Sequence, residues 1–579
     1  MLALSNKHAH DAGSTTAEED RSLAQGGADP HYKWTVLVNT TLGTLIASIN
    51  SSILVVSLPP IFRGIGIDPL SPHESTYLLW TLMGYMVITS AILVTCGRLS
   101  DIYGRTRLYI VGFAIFTLGS FALAATPGHG NAAATYIIAM RILQGLGGAF
   151  LFANSAAMLT DVFPVNRRGL ALGINQIALV AGSLLGLVLG GLLATIEWRL
   201  VFLVSVPFGL LGTIWAYLKL HETTAPQKGE RFDPLGNVAF ASGLTIFLVA
   251  LTYGIQPYGD QPTGWSSPWV LGGASLGVAL LVAFVFIELR TAVPLFHMRL
   301  FANRMFAAGN VSGFLSSLAR GGLQFVIIIW LQGIWLPRHG VPFEATPLWS
   351  GIYTTPLDLG FILLGPIAGA MSDRYGARVF ASGGMLIAAV GFVLLALLPV
   401  DFDRLPFLAI LALIGVGMGL FASPNTTSVM NAAPAHERGA ASGIRATFQN
   451  SATVLSIAVF FGILTTGLAA RLPLIMTRGL ESLGISAPIA HQAASTPPIS
   501  VLFAAFLGYN PLQTLIPQSA TSTLHTHAKE LIFGTQFFPE LIAPAVQDGL
   551  HLAFYVAAAL SVLAACASLF RGKRYISEE

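Results

Sequence analysis

Residues 97–107 read Gly97-Arg98-Leu99-Ser100-Asp101-Ile102-Tyr103-Gly104-Arg105-Thr106-Arg107, a polar island of eleven residues. An apolar run from about residue 76 to 96 precedes it, and another from 108 to about 126 follows. Each run approaches the ~20 residues that a helix needs to cross a bilayer. The island therefore joins two membrane spans. It carries Arg98, Arg105 and Arg107 against one acid, Asp101. A short loop with that excess of cations is expected on the cytoplasmic side.

The pattern returns once, as Gly-Ala-Met-Ser-Asp-Arg-Tyr-Gly-Ala-Arg at 369–378. Gly97 aligns with Gly369, Asp101 with Asp373 and Gly104 with Gly376, all at a separation of 272 residues. Gly145 and Gly147 align with Gly415 and Gly417 at nearly the same separation, and Arg168-Gly169 with Arg438-Gly439. The chain reads as a tandem duplication, an arrangement common in transporters.

Composition supports a polytopic membrane protein. Of 579 residues, 54% are hydrophobic and 10% charged, against about 25% charged in soluble chains. A net charge of +3 gives no reason to expect a nucleic-acid partner. Two cysteines, Cys96 and Cys566, form no disulfide framework, and 13 scattered histidines show no metal-ligand spacing. No cofactor motif is present. The first residues are polar and acidic, so the first span is expected to act as the insertion signal.

The chain divides by hydropathy into a tail at 1–33, six spans over 34–219, a linker with two further spans over 220–303, and six spans over 304–570. A long loop at 468–548 separates the last two spans, and 571–579 forms a second tail. The expected fold is all-α, with fourteen transmembrane helices in two six-helix bundles and two extra central helices. The two extra spans account for a repeat longer than one bundle. Pro59-Pro60 is expected to end span 1 near Leu58. The apolar stretch 499–508 in the long loop is too short to span and is expected as an interfacial or re-entrant helix. With both termini inside, 20 Lys and Arg lie on the cytoplasmic side and four in short outer loops, namely Arg63, Arg199, Arg338 and Arg404.

The Gly-x-x-x-Asp-x-x-Gly-Arg-x-Arg loop resembles the signature loop of the major facilitator superfamily. The fourteen-span count, with Ile46–Pro59 in span 1 and Val293–Arg304 before span 9, resembles the QacA/EmrB-like drug–proton antiporters. That resemblance implies alternating access, with protons and a hydrophobic or cationic small molecule as ligands. It implies a conformational latch at Gly97, Asp101, Gly104, Arg105 and Asp373. Arg141 in Arg-Ile-Leu-Gln-Gly-Leu-Gly-Gly resembles the fourth-span arginine tied to proton coupling, although backbone carbonyls could equally satisfy it. Gly182, Gly186, Gly190 and Gly191 resemble the antiporter motif of span 5, with Leu187 where its proline belongs. Spaced glycines equally predict tight helix packing.

Asn50 stands where related exporters often carry an acid, and serves either a substrate or a neighbouring helix. Further candidates for a substrate cavity are Trp80, Tyr85, Asn154, Gln176, Gln324, Gln449 and Asn450, each equally suited to helix–helix hydrogen bonding. Of 27 acids, Asp358 alone lies deep in an expected span. An intramembrane ionisable residue marks a functional site by default. Counting from Asp373 puts Asp358 ~22 Å from the cytoplasmic end, and counting from Arg304 puts Arg320 at ~24 Å. Arg320 favours the carboxylate and burial the neutral acid, which suits a proton site. A static salt bridge is the other reading. A facilitator for a native metabolite or lipid-like molecule, and a non-transporting scaffold or sensor, remain alternatives. An enzyme or ATP-driven pump is disfavoured, because no Gly-x-x-x-x-Gly-Lys-Ser/Thr loop occurs.

Overall fold

The computed structural model describes residues 31–571 except 69, 71, 224–232, 260, 262, 292, 293, 295, 297, 435–437, 518, 519 and 521–524. The expected tails therefore lie almost wholly outside the described residues. Among the described residues, fourteen helices are long and apolar enough to cross a membrane. Spans 1 to 6 are Tyr32–Ile65, Thr76–Tyr103, Arg105–Ala124, Gly130–Val162, Leu170–Ile196 and Leu200–Lys219. Spans 7 and 8 are Pro234–Gly254 and Pro268–Arg290. Spans 9 to 14 are Arg304–Arg338, Thr346–Ser372, Ala377–Ala396, Arg404–Asn431, Ala441–Ser482 and Phe537–Leu569.

The duplication is visible in the packing. Span 1 lies on 5, and span 4 on 2 and 3; in the second half, span 9 lies on 13, and span 12 on 10 and 11. Gly145 meets Tyr85, and its counterpart Gly415 meets Leu357. Gly147 meets Gly112, and Gly417 meets Gly384. The turn glycines also agree: Gly104 has φ 111° and Gly376 has φ 90°, a region that L side chains avoid. Spans 7 and 8 form a hairpin beside spans 2 and 13. Thr95 Oγ1 ties span 2 to span 7 through Asn237 Oδ1 at 2.7 Å.

Three expectations need correction. Pro59 and Pro60 do not end span 1, which runs on to Ile65 and stops at Gly66 in a left-handed conformation. Pro60 has no N–H for the carbonyl of Val56. Gln332 Nε2 of span 9 donates to that oxygen at 3.3 Å, so the helix continues with its carbonyl satisfied from outside. Span 13 continues as helix to Ser482, and span 14 begins at Phe537, so both ends of the expected loop are helical.

The third correction concerns the short helix Pro498–Leu507. Every residue from Ile499 to Leu507 is buried in protein. The helix packs on spans 1, 2, 9 and 13, so of the two expected placements, interfacial and re-entrant, only the interfacial one is excluded. Its sequence is apolar on every face, and such a helix is stable only when covered all round. Span 9 receives it at a π-helical turn, Leu331–Trp335. There Gly333 lets the backbone of Ala505 and Phe506 approach.

The span 5 glycines form two contacts of different kinds. A Cβ on Gly182, Gly186 or Gly190 would lie 2.6 Å from the carbonyl oxygens of Leu45, Ile49 and Ile53 respectively, all on span 1. These three glycines let two spans of the same half touch. Gly191 instead meets the second half, where a Cβ would lie 2.6 Å from the Leu348 nitrogen of span 10. Leu187, in the place of the motif's proline, offers its carbonyl oxygen to the α-carbon face of Gly351 on span 10. Overpacking costs about 1–3 kcal/mol, which shifts a two-state equilibrium ~5–150-fold. Gly191→Ala is therefore expected to lengthen the distance between spin labels at Ile196 and Glu344 without loss of folded protein. Gly186→Ala is expected to lower the melting temperature instead. An unchanged distance distribution in Gly191→Ala would show that this contact does not hold the halves together.

Candidate functional site: a central cavity walled by arginines

Between the halves lies a cavity of about 290 Å³ that opens at the signature-loop end, where Gly97, Arg98, Asp101 and Arg105 line it. Asn154 and Gln176 of the first half and Arg320, Arg445, Gln449 and Asn450 of the second line its interior. A second chamber of about 220 Å³ continues past Arg320 and Asn450 and is bounded by Tyr85, Gln324 and three serines of span 1. At the other end the halves are in contact. Gly191 and Gly351 meet their partners there, Gln332 reaches Val56, and Arg63 lies 3.9 Å from Glu344.

Arg320 and Asp358 touch: Nη2 donates to Oδ1 at 2.9 Å. Asp358 has no exposed side-chain surface, whereas Arg320 is 23% exposed and lines both chambers. The guanidinium thus stands between the cavity and the carboxylate, with the ring of Phe361 5.1 Å from it. The second carboxylate oxygen, Asp358 Oδ2, has no hydrogen-bond partner. The bond joins spans 9 and 10, where consecutive antiparallel helices bring equal depths together.

Arg141 and Asn50 form a separate cluster inside the first half. Arg141 donates to Gln144 Oε1 at 2.5 Å, to the Asn50 carbonyl at 3.4 Å and to the Thr81 carbonyl at 3.3 Å. Gln144 Nε2 donates to Asn50 Oδ1 at 3.0 Å and to Ser120 at 2.8 Å. Asn50 donates in turn to Ser205. Asn50 therefore does not line the cavity; its amide is consumed by neighbouring helices. Trp80 does not line it either, because its ring faces Tyr253 of span 7 at 6.2 Å. Tyr85 connects the two regions, lining the deep chamber with its ring 4.5 Å from the Arg141 guanidinium.

The signature loop is held within the first half. Arg105 donates to Asp101 at 2.8 Å and to both oxygens of Asp161 at 2.6 and 2.7 Å, joining spans 2, 3 and 4. The Glu222 carboxylate accepts from the amides of Thr106 and Arg107 at 3.2 and 3.0 Å. An anion at a helix N-terminus satisfies amides that have no partner within the helix. The Asp373 side chain lies outside the described residues. Sequence reasoning missed Asp161, Glu222 and Arg445. A census of arginines as well as acids in the expected spans would have found Arg445; nothing local marks the other two.

Comparison with known proteins gives one consistent answer. Residues 40–457 match the family described as the Major Facilitator Superfamily. The riboflavin transporter RibZ of Clostridioides difficile is 27% identical over 432 residues, covering 74% of this chain and 87% of RibZ. The multidrug transporter protein MdtP of Bacillus subtilis is 26% identical over 543 residues, covering 92% of each chain. A crystal structure of a bacterial homologue of the human lysosomal transporter Spinster, inward-facing and occupied, superposes with a TM-score of 0.57 at 14% identity, covering 94% of this chain and 97% of that one. The repeated signature loop, the duplicated six-span halves and the match over most of the chain establish that this protein belongs to the major facilitator superfamily.

Proposed function

We propose that this protein exports amphipathic small molecules across the cytoplasmic membrane by alternating access, coupled to proton uptake at Asp358. The observation that carries the reading is the Arg320–Asp358 ion pair at the cavity wall. An isolated charge in the membrane is costly, and two in contact reduce each other's cost. A proton on Asp358 removes the attraction that holds Arg320 against it. Arg320 then changes its position or its partners in the cavity that a substrate would occupy. Proton and substrate can thereby favour different states, which is the requirement for antiport. The Arg141 cluster supports a structural role for that arginine, because its hydrogen bonds go to helices of the same half.

The signature-loop side is read as cytoplasmic, with both termini there, from the distribution of Lys and Arg. The structure then corresponds to the inward-open state. The relatives' names, a multidrug transporter and a riboflavin transporter, support a small-molecule substrate. The apolar side chains of Phe152, Leu179, Phe361 and Met418 in the lining support a hydrophobic one. The lining does not support a cationic preference: Arg320 and Arg445 face the interior, and the lining acid Asp101 is engaged by Arg105.

Asp358→Asn is expected to keep substrate binding and to lose uphill efflux driven by a pH gradient in proteoliposomes, down to the level of protein-free vesicles. Normal uphill pumping by this variant would remove Asp358 from the coupling role. For orientation, single cysteines are placed at Tyr103 and Ser495, both exposed, in a background without Cys96 and Cys566. An impermeant thiol reagent on intact cells is expected to label position 495 and spare 103; the reverse pattern would invert the assigned topology.

A further inference from the structure

Among the described residues Arg445 has no acidic partner. It lies on span 13 in the cavity lining, inside the region that the fold gives to the membrane. Its Nη1 donates to Gln449 Oε1 at 2.9 Å and to Thr426 Oγ1 at 3.4 Å, both neutral acceptors. Its Nε is buried without a partner. Two other arginines of the lining have acidic partners: Arg320 holds Asp358, and Arg105 holds Asp101 and Asp161. A guanidinium in a site of low dielectric, satisfied only by an amide and a hydroxyl, is a strong attractor for an anion. Two oxygens of a carboxylate or phosphate match its donor fork.

Thr426, the residue next to that guanidinium, lines a second space as well. A cleft of about 560 Å³ opens between span 5 and spans 10 and 12 at the signature-loop end. It shares Thr160, Gln176, Val180, Phe361, Ala422 and Thr426 with the central cavity, so the two adjoin along that wall. Away from the junction its walls are mostly apolar, with Leu170, Ile174, Ile177, Ile362, Pro366 and Met430 beside the polar Ser423, Thr427 and Asn431. Leu170 and Ile177 are exposed. The geometry explains the cleft: spans 5 and 10 touch at Gly191 and Leu348 and diverge toward the signature loop. A chamber in which Arg445 is met only by neutral acceptors thus adjoins, at Thr426, a largely apolar groove.

We infer that the substrate is an anionic, single-chain amphiphile, whose acidic head binds Arg445 and Gln449 while its apolar tail lies in the cleft between spans 5 and 10. The inference deepens the proposed export function and rests on it for direction of transport. Charge complementarity sets the head, because a cationic head would add a second uncompensated charge beside Arg445. The groove sets the tail, because apolar surface in contact with the cavity would otherwise face lipid on one side and water on the other. Closing the halves at the signature-loop end would narrow this cleft, so a tail there is bound in the open state and displaced as the states exchange.

The test is binding in lipid nanodiscs with the full chain and no gradient. The probes are octanoate, dodecanoate and hexadecanoate, their primary amides and their trimethylammonium counterparts, compared at equal concentration in the membrane. The wild-type protein is expected to bind the carboxylates most tightly and the cations least. Arg445→Gln is expected to weaken the carboxylates ~10–100-fold, the worth of a charge-assisted hydrogen bond, and to spare the amides. Gly365→Leu and Gly173→Leu place a side chain in the cleft where a Cβ meets nothing within 4 Å. They are expected to weaken hexadecanoate and spare octanoate. Tighter binding of the cations, no binding of any probe, equal weakening of all three series by Arg445→Gln, or no dependence on chain length in the glycine variants would each overturn the inference. Uphill efflux without charge-selective binding would leave proton coupling standing and remove this substrate class. Charge-selective binding without uphill efflux would do the reverse.

Discussion

A backbone carbonyl or a charged side chain facing hydrocarbon costs several kcal/mol, and no water is there to relieve it. The architecture of this protein follows from that constraint. Each span satisfies its backbone internally as a helix, and polar side chains turn toward one another or toward the cavity. Where a proline breaks the ladder in span 1, Gln332 supplies the missing donor from another helix. Arg141 is fully buried and is met by two carbonyls and an amide. Asp358 is fully buried and met by Arg320. Arg445 and Arg141 are both met only by neutral acceptors, but of the two only Arg445 lines the central cavity, and that position is what makes it informative.

Close approach at glycine divides the molecule into parts that stay together and parts that separate. Gly182, Gly186 and Gly190 lock span 5 onto span 1 through three successive carbonyls, which makes the first half rigid along that seam. One residue further on, the same helix touches the second half through Gly191. A single helix therefore carries both a fixed contact and a contact between moving bodies. The short helix Pro498–Leu507 adds apolar burial at the closed end, seated on the π-helical turn of span 9. At the open end the signature loop makes its ion pairs with Asp161 in its own half. The asymmetry between a dry, packed end and a polar, open end is the physical content of the inward-open reading.

The central cavity combines functions that need different chemistry. In the proposed function the Arg320–Asp358 pair exchanges a proton, because its two charges oppose one another across a wall that only the arginine exposes. In the proposed function Arg445 holds an anion, because no acid among the described residues pairs with it. The apolar cleft beside Thr426 can hold a tail because spans 5 and 10 diverge there. Proton and substrate meet in one volume, so coupling between them needs no long pathway through the protein.

From sequence alone, the class of structure was determined almost completely. Hydropathy set fourteen spans, because the bilayer demands a fixed length of apolar helix. The recurrence of Gly97, Asp101 and Gly104 at one separation set the duplication, because a tight turn between two spans needs the same residues in both copies. The depth of Asp358 and Arg320 was legible from rise per residue, because consecutive antiparallel helices share one coordinate. Sequence spacing fixes depth but not azimuth, and the rest depended on azimuth. Only the tertiary structure could turn Asn50 and Trp80 away from the cavity, bring Asp161 to Arg105, and bury Pro498–Leu507 between the halves. Only it could show that Arg445 faces the cavity without an acid, because compensation of a charge is decided by neighbours distant in the chain.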